Sequence, residues 1–242
     1  WMRRLAPIWK RLLSGRDVRW AAVSADARAV LVAAGLAGKE EVAIIPNPID
    51  PSDVAARRRN GRGGPIIVGY LGSDAPYKGF QFLPEVIERL CDIPVRWLVF
   101  SSPRSPSNRG AWERLASFPD GIVRIAGRVP EVREAYARCD VVFCPSLEES
   151  FCRVAAEAMA NGLPVVASDL PAVRTLVGDE QAGLLFPPGD AEAAARCIHR
   201  LVSDRELARR LGAAGRIRSR RYRPAQIVAK LARAYGLETW GM

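Results

Sequence analysis

The sequence predicts an α/β fold built on a doubly wound parallel sheet. Short apolar segments rich in β-branched residues alternate with longer segments of helical periodicity, which is typical of repeated βαβ units. Several of the short segments are apolar throughout, as in Val141-Val142-Phe143-Cys144. A strand of this kind is buried on both faces, because helices cover both sides of a parallel sheet.

The individual elements follow from composition and spacing. Short apolar segments bounded by turn residues are predicted as strands: residues 21–24, 42–46, 66–71, 95–101, 122–126, 141–145, 164–168 and 183–186. Longer segments with apolar residues at helical spacing are predicted as helices: residues 79–90, 130–138, 153–161, 171–177, 191–201, 204–218 and 225–235.

The main change in composition lies at residues 49–65, which are predicted as a linker. This stretch begins in a turn-rich region and is polar and rich in arginine and glycine. Residues 66–220 are predicted as one α/β domain, and residues 221–242 as a carboxyl-terminal helix. Residues 1–48 are too few for a domain of their own and are expected to be the last part of a preceding one.

The composition is that of a soluble globular protein. Of the 242 residues, 49% are apolar and 26% are charged. No segment approaches the roughly 18 to 20 consecutive apolar residues that cross a bilayer, and the amino end lacks a signal-peptide pattern. A chain that begins with Trp1 is expected to be cut from something longer. The five cysteines never occur as C-x-x-C, which favours reduced thiols in a cytoplasmic protein.

The chain is basic, with 36 Lys+Arg against 26 Asp+Glu. This charge favours polyanions, anionic membranes or phosphorylated small molecules, and an ordinary solvated surface explains it as simply. Residues 2–16 combine basic and apolar side chains, which are interpreted as packing against a preceding domain, with a membrane-surface helix as the alternative. Aromatic residues are not clustered with the arginines, so no specific nucleic-acid binding is predicted.

The loop after residues 141–145 carries two glutamates beside a predicted helix start. Ser150 is a candidate N-cap, and the backbone N–H groups of residues 151–153 together with the helix dipole favour an anion such as phosphate. Glu149 lies beside them, and Glu157 is about 12 Å further if the segment is wholly helical. Carboxylates at this separation suit hydroxyl groups at both ends of a nucleotide-diphosphate sugar. Glu157 is flanked by alanines, so its charge needs a partner.

The loop after residues 66–71 carries a glycine and a lysine. Gly72 permits a tight turn. Lys78 is expected at a helix start, where the helix dipole disfavours a cation unless an anion lies nearby. A bound diphosphate would be that anion, and an exposed lysine is the alternative.

Together these motifs resemble the carboxyl-terminal half of family-4 glycosyltransferases, whose GT-B fold consists of two facing Rossmann-like domains. The resemblance covers nearly the whole chain. It rests on residues 22–24 and 44–50 at the crossing between the domains, on residues 68–72 with Lys78-Gly79, on residues 140–146 leading into Glu149-x7-Glu157, and on residues 158–169.

The resemblance implies a retaining hexosyltransferase whose donor site is supplied by this chain. Lys78 would stabilise the leaving diphosphate and Glu149 would bind the transferred sugar, which makes these two the catalytic candidates. Glu157 would bind the ribose hydroxyls. Backbone N–H groups near residues 151–152 would contact sugar and phosphate, and residues 127–129 would border the base. The implied donor-binding set is Gly72, Ser73, Lys78, Gly127, Arg128, Val129, Glu149, Phe151, Cys152, Arg153 and Glu157.

The resemblance also implies which partners the chain has. The donor is expected to be UDP- or GDP-linked, with no metal and no other cofactor. The acceptor site would come from an amino-terminal domain of which residues 1–48 are the remnant, so the isolated chain is expected to turn over poorly. A catalytically incomplete nucleotide-sugar-binding module or subunit is the alternative. The expected location is the cytoplasm, with peripheral contact at the inner face of the membrane left open.

Two departures from the family pattern bear on the donor site. The family usually has an arginine at the position of Ser73, so one diphosphate contact is missing unless Arg128 or Arg153 replaces it. The family also often has glycines around position 151, where this chain has Ser150 and Cys152. Side chains at those two positions are expected to crowd the sugar pocket. The sole histidine, His199, is predicted to be a surface residue.

Overall fold

The computed structural model describes residues 18–50, 64–179 and 181–237. Most of the predicted linker and the basic, apolar segment 2–16 lie outside these described residues. The chain forms two compact units: one combines the described residues up to Pro48 with those from Arg221, and the other runs from Ile49 to Arg220.

The described residues contain eight strands and nine α-helices. The strands are β1 Trp20–Ala22, β2 Val42–Ile44, β3 Ile66–Leu71, β4 Val95–Phe100, β5 Val123–Ile125, β6 Val141–Cys144, β7 Val165–Ser168 and β8 Gly183–Phe186. The helices are α1 Ala25–Ala33, α2 Leu83–Glu88, α3 Arg109–Ser117, α4 Val132–Ala137, α5 Arg153–Ala160, α6 Pro171–Val177, α7 Ala191–Ser203, α8 Arg205–Ser219 and α9 Pro224–Tyr235.

The larger unit is built on a six-stranded parallel sheet with the order β5-β4-β3-β6-β7-β8. The chain adds strands in one direction from β3 to β5, and then returns to the other side of β3 with β6. All four residues of β6 are buried, as its uniformly apolar sequence predicts. The predicted Rossmann-like doubly wound sheet is therefore confirmed.

Helices cover both faces of this sheet. Val68 and Tyr70 of β3 belong to a core cluster with buried residues of α2, α3 and α7. Gly69, which points to the opposite face because side chains alternate along a strand, lies against the end of α4. A β-carbon at Gly69 would lie 2.3 Å from the Cys139 sulfur, so only glycine fits this crossing of strand and helix.

The smaller unit contains a second, two-stranded parallel sheet. β1 pairs with β2, with Trp20 opposite Val42, and α1 connects the two strands. Ser24 caps α1 by accepting a hydrogen bond from the Ala27 N–H at 3.1 Å. Helix α9 belongs to the same unit, where the Tyr235 hydroxyl donates to the Arg19 carbonyl at 3.4 Å.

Most predicted elements are present, and the main differences concern the number and length of the helices. The helix predicted over residues 79–90 is shorter, because two 3-10 turns precede α2, which begins at Leu83. Helices α1 and α3 were not predicted. Gly162 follows α5 with φ of 70°, the left-handed conformation that glycine adopts readily and that commonly ends a helix.

Candidate functional site

The site lies where the order of strands reverses. β3 and β6 are neighbours in the sheet, so the loops that follow them meet at its carboxyl edge, where open α/β sheets bind ligands. The Tyr77 carbonyl accepts hydrogen bonds from the Leu147 N–H at 2.8 Å and from the Glu148 N–H at 3.3 Å. These bonds join the two predicted loops into one surface.

Gly79 makes the closest approach between the two loops. Its φ is 71°, and a β-carbon built there would lie 1.8 Å from the Pro145 carbonyl oxygen. Lys78 ends a 3-10 turn, Pro76–Lys78, so the prediction that it stands at a helix start is wrong. The left-handed Gly79 ends this turn before another helical turn begins, and that sharp reversal separates Lys78 from α2.

Lys78 and Glu149 form an ion pair across the two loops. The Lys78 ammonium lies 2.7 Å from Glu149 Oε1, and the same oxygen accepts a hydrogen bond from the Ser146 hydroxyl at 2.9 Å. Burial alone would lower the pKa of Lys78, but the hydrogen bond and charge of Glu149 outweigh it and raise that pKa. The lysine therefore stays protonated, and its cation lies between the loops that follow β3 and β6.

The start of α5 differs from the prediction. Cys152, not Ser150, is the N-cap residue, and it adopts φ of 66° and ψ of 71° without a side-chain capping hydrogen bond. This left-handed conformation is unusual for a residue with a β-carbon and is one that glycine adopts readily. Because the cap makes no such bond, the positive end of the helix dipole is available to an anion.

A pair of buried thiols lies beneath the start of α5. Cys144, at the end of β6, and Cys152 are both buried. A hydrogen bond with Cys152 and burial raise the pKa of the Cys144 thiol, so Cys144 is neutral. None of the five cysteines, all of which lie in the described ranges, forms a disulfide.

Glu157 has the partners that its burial requires. It is 6% exposed, and its Oε2 accepts a hydrogen bond from the Tyr136 hydroxyl at 2.7 Å. Its Oε1 accepts from Arg153 Nη2 at 2.9 Å and Nε at 3.2 Å. Burial and then the Glu157 charge raise the pKa of Tyr136 well above its usual value, so Tyr136 remains a hydroxyl donor.

A cavity of about 310 Å³ opens beside these groups. Four of the predicted donor-binding residues line it: Gly72, Ser73, Arg128 and Val129. Residues that sequence reasoning missed complete the wall: Leu71, Phe100, Ser101, Ser102, Arg104, Val132, Ala135, Tyr136 and Val154. Gly127, with φ of 68°, turns the chain immediately before Arg128 and is not among the lining residues. The other predicted donor-binding residues do not line the cavity either: Lys78, Glu149, Phe151, Cys152, Arg153 and Glu157.

Asp74 fixes the shape of the loop after β3. It is 1% exposed, and its Oδ2 accepts hydrogen bonds from the Arg104 N–H, the Ser105 N–H and the Trp112 indole N–H, each at 2.9 Å. Burial alone would raise the pKa of Asp74, but these hydrogen bonds outweigh it and lower that pKa. Sequence reasoning missed Asp74, although a carboxylate in the loop that follows a buried strand was a visible signal.

We expect Asp74→Asn to lower the free energy of unfolding by about 2 to 3 kcal/mol at neutral pH, because a neutral amide oxygen accepts the three hydrogen bonds of Oδ2 more weakly than a charged carboxylate oxygen does. The pKa of Asp74 is lower in the folded chain than its ordinary 3.8. The carboxylate therefore stabilises the fold above that pH, and its contribution disappears as the pH falls through the folded value. Urea unfolding at a series of pH values measures this loss.

The matched control is Asp120→Asn, which changes an exposed carboxylate and is expected to alter stability by less than about 0.5 kcal/mol. The difference between Asp74→Asn and the unaltered chain should shrink in strong acid. A difference that stays constant from neutral to strongly acidic pH would contradict the role given to the Asp74 carboxylate.

Three further properties concern the described part of the chain. His199 is exposed, as predicted. No three His, Cys, Asp or Glu side chains among the described residues are grouped to hold a metal ion. No helix in the described ranges has both the length and the apolar character needed to span a bilayer.

Comparison with known proteins identifies the family. The family model described as "Glycosyl transferases group 1" matches residues 65–204, more than half of the chain. The chain belongs to the group 1 glycosyltransferases. This confirms the resemblance to family-4 enzymes of the GT-B kind, and the matched residues contain β3 to β8 and both loops of the site.

Related sequences include two actinobacterial glycosyltransferases. The "Phosphatidyl-myo-inositol mannosyltransferase" of Mycobacterium leprae is 37% identical over 177 residues, which is 69% of this chain and 45% of the relative. The "D-inositol 3-phosphate glycosyltransferase" of Stackebrandtia nassauensis is 31% identical over 229 residues, which is 86% of this chain and 51% of the relative. The chain thus spans about half the length of these curated relatives.

Solved structures of GT-B glycosyltransferases share the fold of this chain. Sucrose-phosphate synthase from Thermosynechococcus elongatus superposes with a TM-score of 0.78 at 26% identity, over 96% of this chain and 61% of that one. Anabaena HepE in complex with UDP and glucose gives a TM-score of 0.80 at 22% identity, over 97% of this chain and 67% of that one. The neighbours are GT-B glycosyltransferases, and this chain matches part of each.

Proposed function

We propose that this glycosyltransferase chain binds a nucleotide-diphosphate sugar at the carboxyl ends of β3 and β6. The observation that carries the proposal is the placement of three features on the loops after β3 and β6 and on α5: the Lys78 cation, the start of α5 without a capping side chain, and the buried Glu157 carboxylate. The cavity adjoins them through Tyr136, which bonds to Glu157, and through Val154 of α5. Lysine and a helix N-terminus suit a diphosphate, and a carboxylate suits ribose hydroxyls.

Lys78 is the group that we assign to the leaving diphosphate. An ammonium has three donors, and Glu149 takes one of them at 2.7 Å, which leaves two for phosphate oxygens. Its raised pKa keeps the charge in place while negative charge develops on the leaving group. Glu149, held by Ser146 and Lys78, is assigned to the hydroxyls of the transferred sugar.

Glu157 is assigned to the ribose. A carboxylate offers about four lone-pair positions, and Tyr136 and Arg153 occupy part of them. The remaining positions can accept from ribose hydroxyls. Val129, Val132 and Arg128 of the cavity wall are assigned to the base.

The reaction that we propose for the whole protein is transfer of a hexosyl group with retention of configuration. The relatives' names include mannosyltransferases, and the HepE structures are of complexes with UDP and UDP-glucose, which supports a UDP- or GDP-linked donor. Since the chain spans about half of its relatives, the acceptor site is assigned to the rest of the protein. The cytoplasmic location, peripheral membrane contact and lack of a metal requirement stay predictions.

The proposal is tested by titration calorimetry of the 242-residue chain with UDP, GDP and ADP. We expect one of these nucleotides to bind, and we expect Lys78→Ala to weaken its binding by at least about tenfold. That is the loss expected for one charge-assisted hydrogen bond to phosphate.

The control for this titration is Lys230→Ala, which removes an exposed lysine from α9 and should leave the affinity unchanged. If a folded chain binds none of the three nucleotides, the donor-site proposal is wrong.

A second candidate function is a nucleotide-sugar-binding module without turnover. Ser73 favours it, because the family usually has an arginine at that position of the loop. Nucleotide binding by the chain combined with no sugar transfer by the full-length protein, toward any acceptor lipid or sugar phosphate tried, would favour this candidate over the enzyme.

A further inference from the structure

We propose that Arg104 supplies the cationic contact to the donor diphosphate that Ser73 does not. This inference rests on the proposed function and names a determinant within that same site. Both residues line the cavity of about 310 Å³, Ser73 from the loop after β3 and Arg104 from the loop after β4.

The backbone of Arg104 is hydrogen-bonded to the loop after β3, which contains Ser73. Asp74, the residue next to Ser73, accepts hydrogen bonds from the Arg104 and Ser105 N–H groups at 2.9 Å each. The Asn108 side-chain amide donates to the Asp74 carbonyl, and the Tyr70 hydroxyl donates to the Ser73 carbonyl at 2.6 Å. These hydrogen bonds hold the loops after β3 and β4 together. The backbone of Arg104 is bonded to Asp74, which is the neighbour of Ser73 in the chain.

The other cations near the site have partners of their own. Arg153 makes two hydrogen bonds to Glu157 Oε1, at 2.9 and 3.2 Å, and does not line the cavity. Lys78 is paired with Glu149. Arg138 lies over the Phe100 ring, 5.2 Å from its centroid. Arg153, one of the two replacements suggested by the sequence, is therefore committed to a carboxylate.

Two arginines that line the cavity, Arg104 and Arg128, remain as candidates for the diphosphate contact, and their neighbouring residues distinguish them. Within the described ranges, neither Arg104 nor Arg128 has a carboxylate within ion-pair distance. Arg128 is followed by the apolar Val129 and shares its part of the wall with Val132, which suits a base. Arg104 is tied to the glycine-containing loop after β3. A guanidinium without a carboxylate partner presents its planar set of donors to two phosphate oxygens at once.

The test compares nucleoside diphosphates with nucleosides. The chain and its Arg104→Gln variant are titrated with UDP, GDP and ADP, and with uridine, guanosine and adenosine. We expect Arg104→Gln to weaken diphosphate binding by at least about tenfold, as for one lost charge-assisted hydrogen bond. Binding of the matching nucleoside should not change, because it has no phosphate. Arg200→Gln, on the exposed side of α7, is the matched control and should change neither affinity.

A compensating variant makes the test specific. Adding Ser73→Arg to Arg104→Gln should restore most of the lost diphosphate affinity, because the second arginine returns a cation to the neighbouring loop position. Equal diphosphate binding by Arg104→Gln and the unaltered chain would overturn this inference and leave the donor site standing. A loss that is equally large for the nucleoside would also overturn it, since that result assigns Arg104 to the base. No nucleotide binding by the unaltered chain would overturn both proposals.

Discussion

Replacing Gly79 by alanine is expected to destabilise the protein by at least about 3 kcal/mol, as the sum of left-handed strain and overpacking. Its φ is 71°, and the new β-carbon would lie 1.8 Å from the Pro145 carbonyl oxygen and 2.7 Å from the carbonyl carbon. Both atoms are backbone, so relief requires the loops after β3 and β6 to move apart. Chemical denaturation followed by circular dichroism measures the loss.

The matched control is Gly110→Ala in the first turn of α3, where no atom lies within 4 Å of the added β-carbon. This change is expected to stabilise by no more than about 1 kcal/mol, because alanine favours helix. A Gly79→Ala variant as stable as the unaltered chain would show that the loops are not in this close contact. Any folded Gly79→Ala protein should also bind nucleotide poorly, because the Lys78–Glu149 pair spans the same two loops.

Glu157→Gln is expected to weaken nucleotide binding by about 30- to 100-fold, which is about 2 to 3 kcal/mol and corresponds to one lost hydrogen bond to a charged acceptor. The glutamine keeps the shape of the side chain but replaces an acceptor by a donor. It cannot satisfy both the Tyr136 hydroxyl at 2.7 Å and the Arg153 guanidinium at 2.9 Å while it also accepts from a ribose. Calorimetric titration with the nucleotide and with its 2′,3′-dideoxy analogue measures the effect.

The dideoxy analogue separates ribose recognition from a general disturbance of the site. If Glu157 binds the ribose hydroxyls, the analogue binds the unaltered chain weakly and loses little more on Glu157→Gln. Equal losses for both ligands would remove the ribose assignment. Glu85→Gln is the control, since Glu85 of α2 also pairs with an arginine four residues away, at 2.9 Å, but its side chain is half-exposed.

The strands of the sheet were predictable because each is recognised from its own residues, as a short apolar segment between turn residues. The apolar run Val141–Cys144 and the turn residues around it define β6 without knowledge of its neighbours. The two helices that were missed are short. α1 has few polar residues to mark a solvent face, and α3 shows its inward face only through Trp112 and Leu115. Ser24, which caps α1, was a start signal that could have revealed it.

The sequence predicted which loops form the site, but it did not predict which side chains contact each other there. Lys78 and Glu149 stand out as charged residues in the loops that follow buried strands, yet their contact depends on β3 and β6 being neighbours. Tyr136 lies 21 positions from Glu157 in the chain, and nothing in the sequence between them signals that contact. The N-cap at Cys152 was misplaced because a left-handed cysteine is a rare conformation that residue preferences do not favour.

The strand order has a consequence for how the protein reaches its native state. The Lys78–Glu149 contact joins residues 71 positions apart, and the Asp74–Trp112 contact joins residues 38 positions apart. Such distant pairs close only after the intervening chain has assembled, because loop-closure entropy opposes them until neighbouring strands are aligned. Because Lys78 and Glu149 follow strands in different halves of the sheet, β3–β5 and β6–β8, the two halves must pack together before this ion pair and the site around it can form. A ligand held there reports that folding is complete, and it holds the docked halves together against local opening.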